Sequence, residues 1–314
     1  MTVPLLTIGK KKSLLRRIVQ DRWQLLMLVP TIVLMFLFMY LPIYGVLIAF
    51  QNYRIGNAIF SLGEKTDWVG LAHFKTFINS IFFSRVFTNT IRLSIKNLAY
   101  GFWVPIVFAM LLNEVTHSVF KRLTQTFVYL PHFVSTVIVV AMMMSLTGPS
   151  GAVSRLLTLF GEEPSYMINE SRYFDTLYVA SNIWHSFGYS SIIYIAAIAA
   201  VNPSLYEAAT IDGANRFHKM AHITFPGILP TIMILLILSV GGIIGSNTEK
   251  VLLMYNPRTI DVADVIGTYV YRMGLQNARY SYSSAIGLFT NLVNFVLVFG
   301  ANQISRRATN YSLW

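Results

Sequence analysis

The sequence predicts an all-α integral membrane protein with six transmembrane helices. Its mean hydropathy is +0.57 and only 12% of its 314 residues are charged, which is too apolar for an ordinary water-exposed surface. Several apolar runs reach the ~20 residues that a helix needs to cross a hydrocarbon core of about 30 Å. These runs are continuous and do not alternate every second residue, which argues against a transmembrane β-barrel.

The six predicted spans share this length, and all except the second lack Asp, Glu, Lys and Arg. They cover roughly residues 25–50, 89–112, 127–146, 176–201, 226–247 and 282–304. The first run is about 26 residues long, too long for the apolar core of a cleavable signal peptide. We therefore expect it to remain as a membrane anchor.

The distribution of Lys and Arg predicts the orientation. The N-terminus, the loop with Lys121 and Arg122, the loop with Arg216 and Lys219, and the C-terminal tail together hold twelve basic and four acidic residues. The opposite loops hold ten basic and nine acidic residues and are nearly neutral. Because positive charge accumulates on the cytoplasmic side, both termini are predicted to be cytoplasmic.

Other classes of function find little support in the sequence. The basic residues flank apolar spans and form no single stripe, which argues against a nucleic-acid partner, whereas the N-terminal cluster suits anionic membrane lipid. The chain has no cysteine, so no thiolate metal site or cysteine nucleophile exists, and no metal site is expected. A phosphate-binding loop, G-x-S-x-G and H-E-x-x-H are also absent from the sequence.

A polar stretch lies in the loop 203–230, between the fourth and fifth predicted spans. It reads PSLYEAATIDGANRFHKMAHITFPGILP. We expect a helix with Ser204 as its N-cap and Glu207 at its third position, followed by a turn at Gly213. A second short helix should end before Pro226, since proline cannot continue the hydrogen-bond ladder. Short amphipathic loop helices are common at membrane interfaces, so such helices alone do not indicate a function. The spacing of particular residues within the loop is more informative.

That spacing matches a known signature. The letters E-A-A beginning at Glu207, then Gly213 after three intervening residues, and the later I-x-F-P fit E-A-A-x₃-G-x₉-I-x-L-P, with Phe225 in place of leucine. Supporting stretches extend almost end to end, including YLPIYGVLIAFQNY at 40–53 and the terminal SLW. The chain resembles permease subunits of the carbohydrate-uptake family of ABC importers. It is similar to the maltose importer's membrane subunits, and most of all to the polysaccharide and alginate-oligosaccharide branch.

The resemblance implies a type I ABC importer permease fold and a division of labour. A second homologous permease, two cytoplasmic ATPase subunits and an extracytoplasmic solute-binding protein would be the partners. ATP and magnesium would bind to the ATPase subunits, leaving this chain without cofactor or catalytic activity. The residues expected to couple to the ATPase are Glu207, Ala208, Ala209, Asp212, Gly213 and Arg216.

These inferences divide the chain into three parts. Residues 1–24 form a basic cytoplasmic arm, residues 25–304 form the six-span permease domain with its loop 203–230, and residues 305–314 form a cytoplasmic tail. The expected location is the bacterial cytoplasmic membrane. The expected function is half of a translocation pathway for a sugar or oligosaccharide, and the alginate-type branch favours an acidic one.

Two alternatives stay open at this level. A secondary transporter would show matching inverted repeats and ion-binding acids inside its spans, and neither is apparent here. An ABC importer for a non-sugar solute would share all of the features above.

Candidate pathway residues are polar side chains within the spans, which usually face the interior of the bundle. In the fourth span, Asn182, His185 and Tyr189 lie at helical spacing on one face. The sixth span contributes Asn291 and Asn294. For each residue alone, a hydrogen bond between helices is the simpler interpretation.

Two cations, Arg92 and Lys96, fall inside the second apolar run, four residues apart on one helical face. A charge at the bilayer centre costs about 2.5–3.5 kcal/mol on insertion scales. Either the long side chains reach the outer interface, or they line an outer vestibule that attracts an acidic sugar. We retain both cations as candidate pathway residues.

Overall fold

A computed structural model describes residues 21–56, 67–161, 163–245, 248–309 and 311–314. The N-terminal arm 1–24 and the end of the fifth predicted span therefore fall largely or partly outside the described residues. The described part is helical, apart from short connections and one isolated bridge between Gln51 and Trp68. The all-α prediction is confirmed. The chain divides into two units, Met1–Gly70 and Leu71–Trp314.

The described part of the first unit consists mainly of one long apolar helix. It begins as α1, Arg22–Met35, passes through the π-helical turn Phe36–Tyr40, and ends as the 3₁₀ segment Leu41–Phe50. After this helix, the backbone N–H of Asn52 donates to the carbonyl of Asp67 at 2.9 Å, and Val69 donates to Phe50 at 2.9 Å. These bonds close the following loop.

The second unit contains the remaining helices, connected by short turns. In chain order they are α2 Ala72–Ile78, α3 Phe83–Gly101, α4 Trp103–Asn113, α5 Ser118–Tyr129, α6 Thr136–Thr147, α7 Ala152–Thr158, α8 Ser171–Ala199, α9 Pro203–Ile211, α10 Arg216–Lys219, α11 Phe225–Gly241, α12 Thr248–Met254, α13 Ile260–Ala263, α14 Ile266–Tyr271 and α15 Tyr280–Thr309.

Five helical stretches of the described residues are long and apolar enough to cross a membrane. They are Arg22–Phe50, Phe83–Asn113, Thr136–Thr158, Arg216–Gly241 and Tyr280–Thr309. A sixth candidate is the pair α8 and α9, which is bent by 70°. The six-span prediction agrees with this set when the bent pair counts as one span.

The third predicted span, 127–146, is wrong as a continuous helix. The α5 helix ends at Tyr129, and a 3₁₀ turn, Leu130–Phe133, separates it from α6. Pro131 lies in this turn and has no N–H to donate, so the regular ladder stops here. Helix α6 then restarts with Ser135 as N-cap, whose hydroxyl accepts from the backbone N–H of Ile138 at 3.4 Å.

Packing in the second unit brings α8 close to its neighbours. One core cluster joins α4, α8 and α11 through residues such as Ile106, Tyr194 and Ile228. The approach of α5 to α8 requires glycine, because a Cβ on Gly188 would lie 2.1 Å from the Val128 carbonyl oxygen. Helix α8 thus packs against α4, α5 and α11, and these contacts determine which of its faces remains exposed.

Candidate translocation pathway and coupling loop

A cavity of about 580 Å³ lies between α3–α4, α8 and α11. It is lined by Ser94, Asn97, Leu98, Gly101, Phe102, Pro105, Asn182, Ile183, Ser186, Tyr189, Ser190, Ile192, Ile193, Tyr194, Leu235, Leu238, Ser239, Gly242 and Ile243. The lining combines apolar side chains with hydroxyls, amides and a partly exposed tyrosine. Such a mixture suits a solute that carries both hydroxyl groups and apolar faces.

One wall of this cavity is a chain of amides. The Nδ2 of Asn182 donates to Asn97 Oδ1 at 3.2 Å, which joins α8 to α3. Behind it, Lys250 Nζ donates to Asn182 Oδ1 at 2.9 Å. Lys250 is only 1% exposed and belongs to α12, outside the candidate spans. Burial lowers the pKa of Lys250 to about 8.

An aromatic stack forms another part of the wall. The ring of Tyr189 lies 4.0 Å from that of His132, and the two planes are 5° apart. His132 belongs to the 3₁₀ turn that interrupts the third span. His185, one turn before Tyr189, contacts the Val134 carbonyl oxygen through Nε2 at 3.0 Å. His185 therefore holds the break in place, whereas Tyr189 is 46% exposed and borders the cavity.

The two cations of the second span share one carboxylate. Arg92 Nε and Lys96 Nζ lie 3.0 and 2.7 Å from Asp175 Oδ2, and an Arg92 N–H also donates to the Val262 carbonyl. Asp175 stands in the first turns of α8, four residues after its beginning at Ser171. The pair and its acid are half-buried, and together they retain one positive charge.

A second ionic cluster surrounds Asp264, which is fully buried. Its carboxylate lies 2.7 Å from Arg272 and 3.3 Å from Arg85, and it accepts from the Thr268 hydroxyl at 2.8 Å. Asn89 donates to the carbonyls of Asp261 and Asp264 at 2.9 and 3.0 Å. This cluster fixes α3 to the segment between α12 and α14, and it is a structural element.

The asparagines of the last helix lie elsewhere. Asn294 accepts from the Ile244 N–H at 3.0 Å and donates to the Ile244 carbonyl at 2.7 Å, so it joins the end of α11 to α15. Asn291 is exposed. Of the predicted pathway residues, Asn182 and Tyr189 line the cavity, whereas Arg92, Lys96, His185, Asn291 and Asn294 do not belong to the described lining.

The loop 203–230 begins with α9, and its predicted N-cap is wrong. Asn202 caps the helix, with its Oδ1 accepting from the Ser204 N–H at 3.0 Å. Pro203 then occupies the first helical position, where a missing N–H costs nothing. Glu207 and Ala208 are exposed, while Ala209 is partly buried.

The predicted turn follows α9. Gly213 has φ of +79°, the left-handed conformation that glycine adopts without strain. The next helix starts at Arg216, with Asn215 as its cap. The prediction that this helix ends before Pro226 is wrong. A π-helical turn, Met220–Thr224, leads directly into α11, in which Pro226 is the second residue. The N–H that Pro226 lacks therefore falls at the junction between the π-helical turn and the α-helix.

Side-chain contacts hold the loop together on its inner side. The hydroxyls of Tyr206 and Thr224 are 2.9 Å apart, and Lys219 Nζ donates to the Thr210 hydroxyl at 2.7 Å. On the outer side, Ile211 and Phe217 are 87% and 77% exposed. The loop thus presents a surface with apolar residues beside Glu207, Asp212 and Arg216, which are exposed.

Sequence reasoning did not single out Asn97, His132, Lys250 or Asp175. Asn97 directly follows Lys96 and lies on the same face as Ser94, so the helical pattern offered a weak signal. Lys250 carried none, because its burial results from contacts with a helix 68 residues away.

Comparison with known proteins places these features in a family. A family model described as "binding-protein-dependent transport system inner membrane component" matches residues 101–310. This chain belongs to that family. The permease is 41% identical to Protein LplB of Bacillus subtilis (strain 168) over 306 residues, covering 97% of this chain and 95% of that relative. It is 42% identical to the polygalacturonan/rhamnogalacturonan transport system permease protein YteP of the same organism, covering 95% and 92% of the two chains.

Two solved structures of ABC transporters contain a chain with a similar fold. The permease superimposes with a TM-score of 0.85 on a chain of a bacterial ABC transporter involved in the import of the acidic polysaccharide alginate. The identity is 40%, and the match covers 95% of this chain and all of that one. A second structure, with the alginate transporter bound to an alginate pentasaccharide-bound periplasmic protein, matches at 39% identity and the same TM-score.

The recognition of an ABC importer permease and of its type I fold is thereby confirmed. The permease is a multi-pass component of the inner membrane and a transport subunit, not an enzyme. The alternative of a secondary transporter is wrong, since the family is that of binding-protein-dependent systems.

Proposed function

We propose that this permease forms half of the pathway that carries a sugar or oligosaccharide across the bacterial cytoplasmic membrane. The observation that carries the proposal is the cavity beside α8, with its amides, hydroxyls and the exposed ring of Tyr189. Sugar hydroxyls pair with amide and hydroxyl groups, and the apolar faces of pyranose rings pack on aromatic rings. Asn182 and Tyr189 are therefore assigned to solute contact.

The names of similar proteins support an acidic polysaccharide or its fragments as the solute. YteP is named for polygalacturonan and rhamnogalacturonan, and the matched transporter imports alginate. Arg92 and Lys96 would then act at the outer rim of the second span. Because they share Asp175, their combined attraction for an anion amounts to one charge.

Coupling to ATP hydrolysis is assigned to the loop after α8. Ile211 and Phe217 would enter an apolar cleft of a cytoplasmic ATPase, and Glu207 would pair with a basic residue there. Ala208, Ala209, Asp212, Gly213 and Arg216 complete the docking surface. ATP and magnesium would bind to two ATPase subunits, and a second permease would supply the other half of the pathway.

The assembly also requires a solute-binding protein on the outer side, and the matched complex with a sugar-loaded periplasmic protein supports one. The cytoplasmic placement of both termini follows from the distribution of Lys and Arg. His185, Asn291 and Asn294 would support the pathway through helix contacts, since His185 and Asn294 bond backbone groups of neighbouring segments.

The test uses the reconstituted assembly with its binding protein and a panel of oligosaccharides. Tyr189→Ala should raise the KM of sugar-stimulated ATPase activity about two- to twelvefold, since aromatic contacts contribute about 0.5–1.5 kcal/mol. Tyr100→Ala is the matched control, because Tyr100 is an exposed tyrosine of α3 outside the described cavity lining. Equal effects of the two substitutions would contradict the assignment of the cavity to the sugar.

A further inference from the structure

Lys250 is a buried cation whose hydrogen-bond partner is a neutral amide. A charged ammonium in a protein interior is costly unless other charges or strong hydrogen bonds compensate it. Its pKa of about 8 leaves it mostly protonated at neutral pH. The protein therefore keeps a positive charge inside the second unit, where a methionine of similar length would pack without this cost.

Its environment differs from that of four cations of this unit that are less buried than Lys250. Arg85, Arg92, Lys96 and Arg272 each lie within ion-pair distance of an aspartate. Within the described residues, no carboxylate lies at such a distance from Lys250. No carboxylate among the described residues therefore compensates its charge.

The charge acts on the cavity through one side chain. Lys250 donates to Asn182 Oδ1, so the Asn182 amide must turn its Nδ2 towards Asn97. Both asparagines line the cavity. A hydrogen-bonded chain is polarised by a charge at its end, and this effect is strong where the local dielectric constant is low. The wall thus presents oriented amides with a positive charge directly behind them.

We propose that Lys250 is a specificity-determining residue that makes this cavity prefer acidic sugars, acting through Asn182. The proposal rests on the proposed sugar pathway and adds the residue that selects the charge of the solute. A uronate carboxylate near the amide wall gains attraction from the uncancelled ammonium, whereas a neutral sugar gains only hydrogen bonds. Lys250 is a positioning residue, because the groups lining the cavity are the amides in front of it.

The experiment measures direct binding to the assembled transporter, so that delivery by the binding protein does not enter. The probes are a galacturonate trisaccharide and the same trisaccharide with its carboxylates reduced to primary alcohols. Lys250→Met should weaken binding of the acidic probe about tenfold or more and leave the reduced probe within about twofold. Lys250→Arg keeps the positive charge and should retain the preference for the acidic probe.

Two further variants separate charge from structure. Arg258→Met removes an exposed cation from the connection between α12 and α13 and should leave the preference unchanged. Asn182→Asp places a carboxylate against Lys250 and should lower the preference as Lys250→Met does. High salt should change the preference little, because a buried charge is weakly screened.

The outcomes distinguish this inference from the function on which it rests. Binding of neither probe to the unmodified transporter would count against the oligosaccharide pathway itself. Binding of both probes, with equal losses in Lys250→Met or with no loss, would overturn the role of Lys250 and leave the pathway standing.

Discussion

The turn at Gly213 offers a clean test of coupling, because its conformation and its surroundings can be varied separately. A Cβ added there meets no atom within 4 Å, so the first atom of a side chain causes no clash with the described residues. The backbone is the obstacle, since φ is +79°. An ordinary L-residue pays about 1–2 kcal/mol in this conformation, whereas asparagine adopts it readily.

Gly213→Val should therefore lower the equilibrium population of the described loop geometry, relative to other conformations, by a factor of roughly 5–30. Because valine is β-branched, we expect the upper end of this range. Gly213→Asn introduces a side chain of similar size at little backbone cost. If the turn sets the angle between α9 and α10 for docking, the valine variant loses sugar-dependent ATPase stimulation and uptake. The asparagine variant retains most of both.

The assay is uptake into proteoliposomes together with ATPase activity, and the assembly of the complex is followed by gel filtration. Equal damage by valine and asparagine would refute the conformational argument, since it would mean that the ATPase surface needs the empty space at this position. Full activity of the valine variant would show that this turn is not needed for coupling.

The remaining predictions concern packing and orientation. Gly188→Ala should lower the free energy of unfolding by about 1–3 kcal/mol in thermal unfolding assays, because its Cβ would overlap the Val128 carbonyl. Gly287→Ala, where a Cβ meets no atom within 4 Å, should be neutral or stabilising, and equal losses would contradict the packing argument. Since the chain has no cysteine, a single cysteine at Ser118 should resist an impermeant external thiol reagent, and one at Ser165 should react. The reverse pattern would invert the orientation.

The parts of the molecule that sequence reasoning could predict are those that depend on local patterns. The apolar runs predict the spans and the E-A-A spacing predicts the family, because both are properties of consecutive residues. The errors in the loop are also local. Asn202, not Ser204, caps α9, and the following Pro203 was the available signal.

The cavity depends on contacts between distant segments, which no local pattern contains. Asn182 meets Asn97 across 85 positions of the chain and Lys250 across 68. The polar face of the fourth span predicted that Asn182 and Tyr189 face the interior of the bundle, and both line the cavity. The same face included His185, which bonds a backbone carbonyl of the broken third span.

The charges of the second span show the same limit. Arg92 and Lys96 were recognised as unusual in an apolar run, and helical spacing placed them on one face. Their partner, Asp175, stands just before the fourth predicted span and is 79 positions from Lys96. The sequence could therefore raise the question of how the charges are accommodated, but the answer required the folded chain.

The uninterrupted length of α8 has a mechanical consequence. Its 29 residues extend about 43 Å at about 1.5 Å per residue, from Asp175 near one end, past Asn182 and Tyr189, to the 70° corner with α9. A tilt of this rod by 10° about its midpoint would move each end by roughly 4 Å in opposite directions. If α8 moves as a rigid rod, a push at the corner would displace the cavity wall and the ion pair at Asp175 together. Opening at one end of the helix and closing at the other would then be parts of a single motion.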